Sequence, residues 1–255
     1  MPTVSAAQKS PNRESGKVTV YPYEQLGHAD HGWLDARHHF SFAHYWNDDR
    51  VHFGALRVIN DDKVAAGKGF GAHPHDNMEI ITYVRQGAIT HKDNLGNTGR
   101  TGAGDVQVMS AGTGVTHAEH NLEKEDTRLY QIWIVPNRQD VQPRWEAREF
   151  PKAMVENGAL PVLVSGRIED EGKGALFIHQ DAAIYGGRLK AGIVIEQKVK
   201  HQAYILDSIG SFSINGTALK QGDGAEVTGT HTIRIEALTD AEILVIDVPE
   251  DTEDA

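Results

Sequence analysis

Apolar and polar residues alternate along this chain in short runs with a period of two. Glu79-Ile80-Ile81-Thr82-Tyr83-Val84, Tyr130-Gln131-Ile132-Trp133-Ile134-Val135 and Ile243-Leu244-Val245-Ile246-Asp247-Val248 are rich in β-branched and aromatic residues, the composition of buried strands. No stretch sustains the 3.6-residue period of a long helix. Turn formers separate the runs, as at Asn94-Leu95-Gly96-Asn97, Asn215-Gly216 and Gly222-Asp223-Gly224, and these are hairpin connections. Many short strands at this spacing predict an all-β protein of sandwich or barrel type.

The two halves echo one another. Gly87 is followed by Ile89, an Asn-rich turn and Gly104-Asp105; Gly210 is followed by Phe212, Ile214, the turn Asn215-Gly216 and Gly222-Asp223. One β-unit used twice explains the echo. Between the units, Pro136, Pro143, Pro151 and Pro161 interrupt strand propensity. The division expected is an N-terminal module over residues 1–150 and a C-terminal module over 151–255.

Composition narrows the class. Twenty-five Lys and Arg against 36 Asp and Glu give a formal net charge of −11. No basic stripe overrules that balance, so nucleic acid is not an expected partner. There is no Cys, hence no disulfide framework, thiolate metal site or cysteine nucleophile. Residues 1–17 are polar and lack the apolar centre of a signal peptide. No apolar run is long enough to span a bilayer. A soluble, cytoplasmic protein is expected, and a monomer.

Two segments carry the chemistry. Gly67-Lys68-Gly69-Phe70-Gly71-Ala72 leads into His73-Pro74-His75, and Gly112-Thr113-Gly114-Val115-Thr116 leads into His117-Ala118-Glu119. Each pair sits at i and i+2, which on a strand means the same face. Glycine before each pair allows tight turns and close backbone passage. Three imidazoles and a carboxylate suit a divalent transition metal, iron above all. Glu79 shares parity with His75 but lies about 13 Å farther along an extended strand, whereas Glu119 is about 7 Å from His117 by the same rise. The ligands expected are therefore His73, His75, His117 and Glu119, with Glu79 behind them or in strand packing.

The other histidines are read as structural. His38, His39 and His44 lie in an aromatic stretch suited to a core or pocket wall. His120 has the wrong parity to join His117, and His28, His31, His52 and His91 carry no pairing signal. Twelve residues beyond Asp105 stands His117; twelve beyond Asp223 stands Ile235, and Ala237 replaces Glu119. His179, His201 and His231 form no i, i+2 pair, so the second unit is expected to hold no metal.

The chain resembles the pirin family of the cupin superfamily, and within it the bacterial pirin-like quercetinases, from about Gly27 to Pro249. The resemblance is carried by His38-His39-Phe40-Ser41-Phe42, by residues 53–62 and 69–75, by Gln107-Val108-Met109-Ser110-Ala111-Gly112-Thr113-Gly114, and by Gln131-Ile132-Trp133-Ile134-Val135-Pro136. It implies a bicupin: two double-stranded β-helix (jelly-roll) barrels with metal in the first only. It also implies ligands at His73, His75, His117 and Glu119, with Fe(II) the usual ion and Ni, Cu, Mn, Co or Zn acceptable to the same donors.

The activity implied is a metal-dependent dioxygenase that opens the central ring of a flavonol such as quercetin and releases carbon monoxide. Glu119 would then take the 3-hydroxyl proton as well as bind metal, and Phe40, Phe42 and Met109 would furnish an apolar pocket. The alternative is a non-catalytic, iron-binding, redox-sensing regulator with a protein partner. A third reading, a metal-assisted isomerase, would require a strongly basic pocket suited to a sugar.

Overall fold

The computed structural model describes residues 16–250. The polar N-terminal stretch lies outside them except for its last two residues. As the period-two pattern requires, the regular structure of the described residues is strand, apart from two short 3₁₀ turns at Tyr23–Gln25 and Ile168–Asp170. No helix among the described residues is long and apolar enough to cross a membrane.

Each half builds a large sheet, antiparallel throughout in the first half and with two short parallel pairs in the second, and a four-stranded one, the two-layer arrangement of a jelly roll. In the first half the seven-stranded sheet runs Arg144–Arg148, Val106–Ser110, Glu79–Gln86, Thr127–Ile134, Leu56–Val64, Leu34–His38, Gly27–Asp30. Its small sheet runs Gly69–His75, Val115–His120, Ala88–Asp93, Thr98–Gly102. The second half repeats this with a small sheet ordered Val194–Lys198, Thr232–Ala237, Ser211–Ile214, Thr217–Lys220 beside an eight-stranded one. Both modules have the two-layer build that the resemblance implies.

The two large sheets meet in a shared core. Ile59, Ile81, Val108 and Ile132 of the first pack with Tyr204, Leu206, Leu244 and Ile246 of the second. Strand Lys17–Tyr21 crosses over: it pairs antiparallel with Gly224–Thr228, at the edge of the second module's large sheet. The halves are thus joined by backbone hydrogen bonds as well as by side chains.

The insides of the modules differ. The second is filled by Ile205, Phe212, Ile214, Val227, Ile233, Ile235, Ala237, Ile243 and Val245. In the first, a polar row crosses the large sheet on its inner face. His38 pairs with Asn60, Asn60 with Gln131, Gln131 with Thr82 and Thr82 with Gln107, each directly opposite the next. Five strands thus each contribute one polar side chain to a row at the same height. Buried polar groups need partners, and these face the small sheet that carries the histidines.

Candidate metal centre

Strands Gly69–His75 and Val115–His120 are antiparallel neighbours, with His73 directly opposite His117 and His75 opposite Val115. A register shift between His117 and Glu119 places an extra residue in the first strand, the kind of bulge that re-aims side chains at a site. On the other side, Ala88–Asp93 sets Asp93 opposite His117 and His91 opposite Glu119. Glycine is required at the approach: Gly112 has φ +46°, and a Cβ there would run into the Val141 carbonyl.

The three imidazoles converge. Ring centroids lie 4.5 Å apart for His73 and His117, 4.8 Å for His73 and His75, and 5.0 Å for His75 and His117. One donor nitrogen from each lies within 4.8 Å of the others. The Nδ1 of His73 is 2.7 Å from the Gly71 carbonyl oxygen, which can only accept, so Nδ1 carries the proton and Nε2 the lone pair. That Nε2 is 3.1 Å from Nε2 of His117. Burial, and then the neighbouring imidazoles, push His75 down to about 4 and His117 to about 3. Neutral nitrogens aimed at one point are what a divalent cation needs. The donor set fits the ion that the resemblance implies.

Glu119 lines the same cavity as the three histidines but is not a member of their tight trio. It lies with His117 and His91 in an overlapping group. One oxygen accepts from Gln107 and from Thr82 at 3.3 Å, and the other from Gln131. The polar row therefore grips this carboxylate. Burial pushes its pKa up, against the hydrogen bond from Gln131.

The cavity measures about 90 Å³ and its apolar wall comes from Leu34, Ala36, Phe42, Phe70, Ile80 and Trp133. Trp133 stands edge-on to His75 at 5.0 Å and to Phe42 at 5.5 Å. Asp62 also lines it, buried, with one oxygen lacking a hydrogen-bond partner among the described residues. Burial, then the Asp61 and Glu119 charges, hold its carboxyl well above the ordinary range.

The expectations for Phe40, Met109 and His44 need correction, while those for His38, His39 and Glu79 agree with their placement. Of the three apolar residues assigned to the pocket, only Phe42 lines it; Phe40 is in the shared core and Met109 packs with Ile80, Ala111 and Val115. His38 does form pocket wall, its Nδ1 2.7 Å from Asn60 Oδ1. His39 instead lines a separate cavity with Tyr21 and Arg50 and sits 3.0 Å from the Tyr204 hydroxyl. His44 is exposed, because the turn at Ala43, φ +49°, swings it outward. Glu79 lies outside the cavity lining, on the strand face of Ile81 and Tyr83, where Ser110 donates to it at 2.7 Å. Burial pushes that carboxyl up to about 7.

His91 is the residue that sequence reading passed over. It is fully buried, its Nδ1 is 3.3 Å from Nδ1 of His117, and its Nε2 is 2.9 Å from Asp93. Its i, i+2 relation to Asp93 was the available signal.

The Pirin family profile matches residues 19–134, and a profile described as the quercetinase C-terminal cupin domain matches residues 162–248. A Pseudomonas aeruginosa protein, provisionally named a quercetin 2,3-dioxygenase, is 52% identical over 229 residues, 89% of this chain and 97% of its own. The quercetin 2,3-dioxygenase of Escherichia coli K12 is 41% identical over 231 residues, 88% of this chain and 96% of its own. The structure of the E. coli bacterial pirin YhhW in complex with nickel(II) superposes with a TM-score of 0.84 at 38% identity. That match covers 92% of this chain and all of the other.

Proposed function

Since this chain belongs to the pirin family, we propose that its first module holds one divalent metal ion, Fe(II) in the working protein, and opens the central ring of a flavonol with dioxygen. The observation that carries the reading is the convergence of His73, His75 and His117 beside the gripped carboxylate of Glu119, at the floor of an apolar-walled cavity.

The ion, when bound by His73, His75, His117 and Glu119, supplies Lewis acidity and a redox-active centre. The rest falls to the chain. Phe42, Phe70 and Trp133 offer edges and faces to a flat aromatic molecule and keep water away. At about 90 Å³ the cavity is smaller than the few hundred Å³, roughly, of pockets that enclose a drug-sized ligand. A flavonol would insert its oxygenated edge and leave its outer rings at the mouth. Glu119 is the base for the 3-hydroxyl proton, and its burial acts in the direction a proton acceptor needs. Gln107 and Gln131 hold it in place. In the overall reaction dioxygen adds across the ring, carbon monoxide leaves and a depside remains.

Among the described residues no Lys or Arg lines the cavity, so the isomerase lacks the basic pocket it requires. The test is single-turnover oxygen consumption and carbon monoxide release with quercetin, on iron-loaded and metal-stripped protein. Iron-dependent turnover well above that of free iron is expected. Turnover no faster than free iron would overturn the oxygenase and leave the regulatory alternative.

A further inference from the structure

Behind His117, on the side away from the cavity, Asp93 collects hydrogen-bond donors. Its Oδ1 accepts from the backbone N–H groups of Leu95 at 3.0 Å and Asn97 at 2.9 Å. Its Oδ2 accepts from Asn97 Nδ2 at 2.9 Å and faces His91 Nε2, also at 2.9 Å. A carboxylate ringed by donors is an acceptor only, so His91 must carry its proton at Nε2. The His91 ring is clamped, stacked on Trp145 with centroids 4.8 Å apart and planes 8° from parallel. With its one proton committed, His91 presents a lone pair at Nδ1. His117 Nδ1, 3.3 Å away, must then be the donor.

We propose that His91 and Asp93 are positioning residues that commit His117 to the tautomer whose Nε2 lone pair faces His73 and His75. The inference rests on the three-histidine metal centre proposed above. The relay runs from the hairpin turn at residues 93–97 through two imidazoles to the cavity. It does for His117 what the Gly71 carbonyl does for His73: both rings anchor Nδ1–H and free Nε2. A group behind a metal-binding histidine commonly fixes ring orientation and tautomer in this way; here a second histidine is interposed between the carboxylate and the ligand.

The arrangement makes an unusual prediction for Asp93→Asn. The backbone N–H groups of Leu95 and Asn97 would claim the amide oxygen, leaving the NH₂ against His91 Nε2. His91 would then accept at Nε2 and donate from Nδ1. His117 would accept at Nδ1 and carry its proton at Nε2, where the ion must bind. Asp93→Ala removes the anchor without imposing the wrong tautomer. Affinity for nickel(II), measured by chelator competition, should fall about 100-fold in D93N and about 10-fold in D93A. Thermal stability of the metal-free proteins should follow the opposite order, D93N above D93A, because Asn keeps the turn hydrogen bonds.

A purely structural role would make D93A the weaker binder. That order, or D93N binding nickel as tightly as wild type, would overturn the relay. Ring ¹⁵N spectra of the metal-free wild type give a second readout. His117 protonated at Nδ1 supports the relay and protonation at Nε2 overturns it, even if neither variant folds. Wild-type protein that binds no nickel would overturn the metal centre, with the ring spectra still deciding the relay.

Discussion

Replacing Asp207 by Asn should flatten the pH dependence of folding stability. Asp207 is fully buried, neither carboxyl oxygen has a hydrogen-bond partner among the described residues, and it shares a strand face with Ala203 and Ile205 in the apolar core of the second module. Burial, reinforced by Asp223, pushes its pKa up to about 8 from an ordinary 3.8. Between those values the native protein keeps a proton that the unfolded chain has lost. Stability therefore falls as pH rises, by up to about 1.4 kcal/mol per pH unit. Below 3.8 both states are protonated, above 8 both are ionised, and the slope disappears. From pH 5 to pH 8 the ceiling is about 4 kcal/mol, and local relaxation reduces the expected effect to about 2 kcal/mol. Urea denaturation of both proteins at each pH unit measures it. Wild type should lose about 2 kcal/mol more than D207N across the window; parallel profiles would refute the assignment of a buried, protonated carboxyl.

His75→Ala should strip most metal and leave the fold intact, and elemental analysis showing stoichiometric metal in that variant would contradict the ligand set. His201→Ala, in the second module and 3.0 Å from Asp181, should leave metal content unchanged. Phe212→Ala, fully buried in the second core, should cost about 3–5 kcal/mol in denaturant titrations. A loss under about 1 kcal/mol would show that the core closes over the void.

The parts of the fold and site that could be read from the sequence are those written within one strand. Period-two alternation announced the strands, and the i, i+2 pairs put His73 with His75 and His117 with Glu119. The signal weakens where function depends on pairing between strands. His91 bears on the site because its strand lies beside that of His117, and its spacing from Asp93 does not by itself reveal that neighbour. Thr82, Gln107 and Gln131 each look like a single polar interruption, and only the register lines them up beneath Glu119. Local composition also misleads: His44, read as wall from its aromatic stretch, is turned outward at a positive-φ residue, and Phe40, assigned to the pocket, goes to the contact between sheets. The pairing of Lys17–Tyr21 with residues 224–228 spans two hundred positions and leaves no trace in spacing.

That crossing strand means the chain is laced shut. Severing it between residues 136 and 161 would leave the fragments clasped, since the leading piece would still hold a rung of its partner's ladder. Expressing the trailing piece alone would bare the rim of Gly224–Thr228, an unpaired edge ready to recruit a stray strand. The two modules are therefore best regarded as one indivisible folding unit.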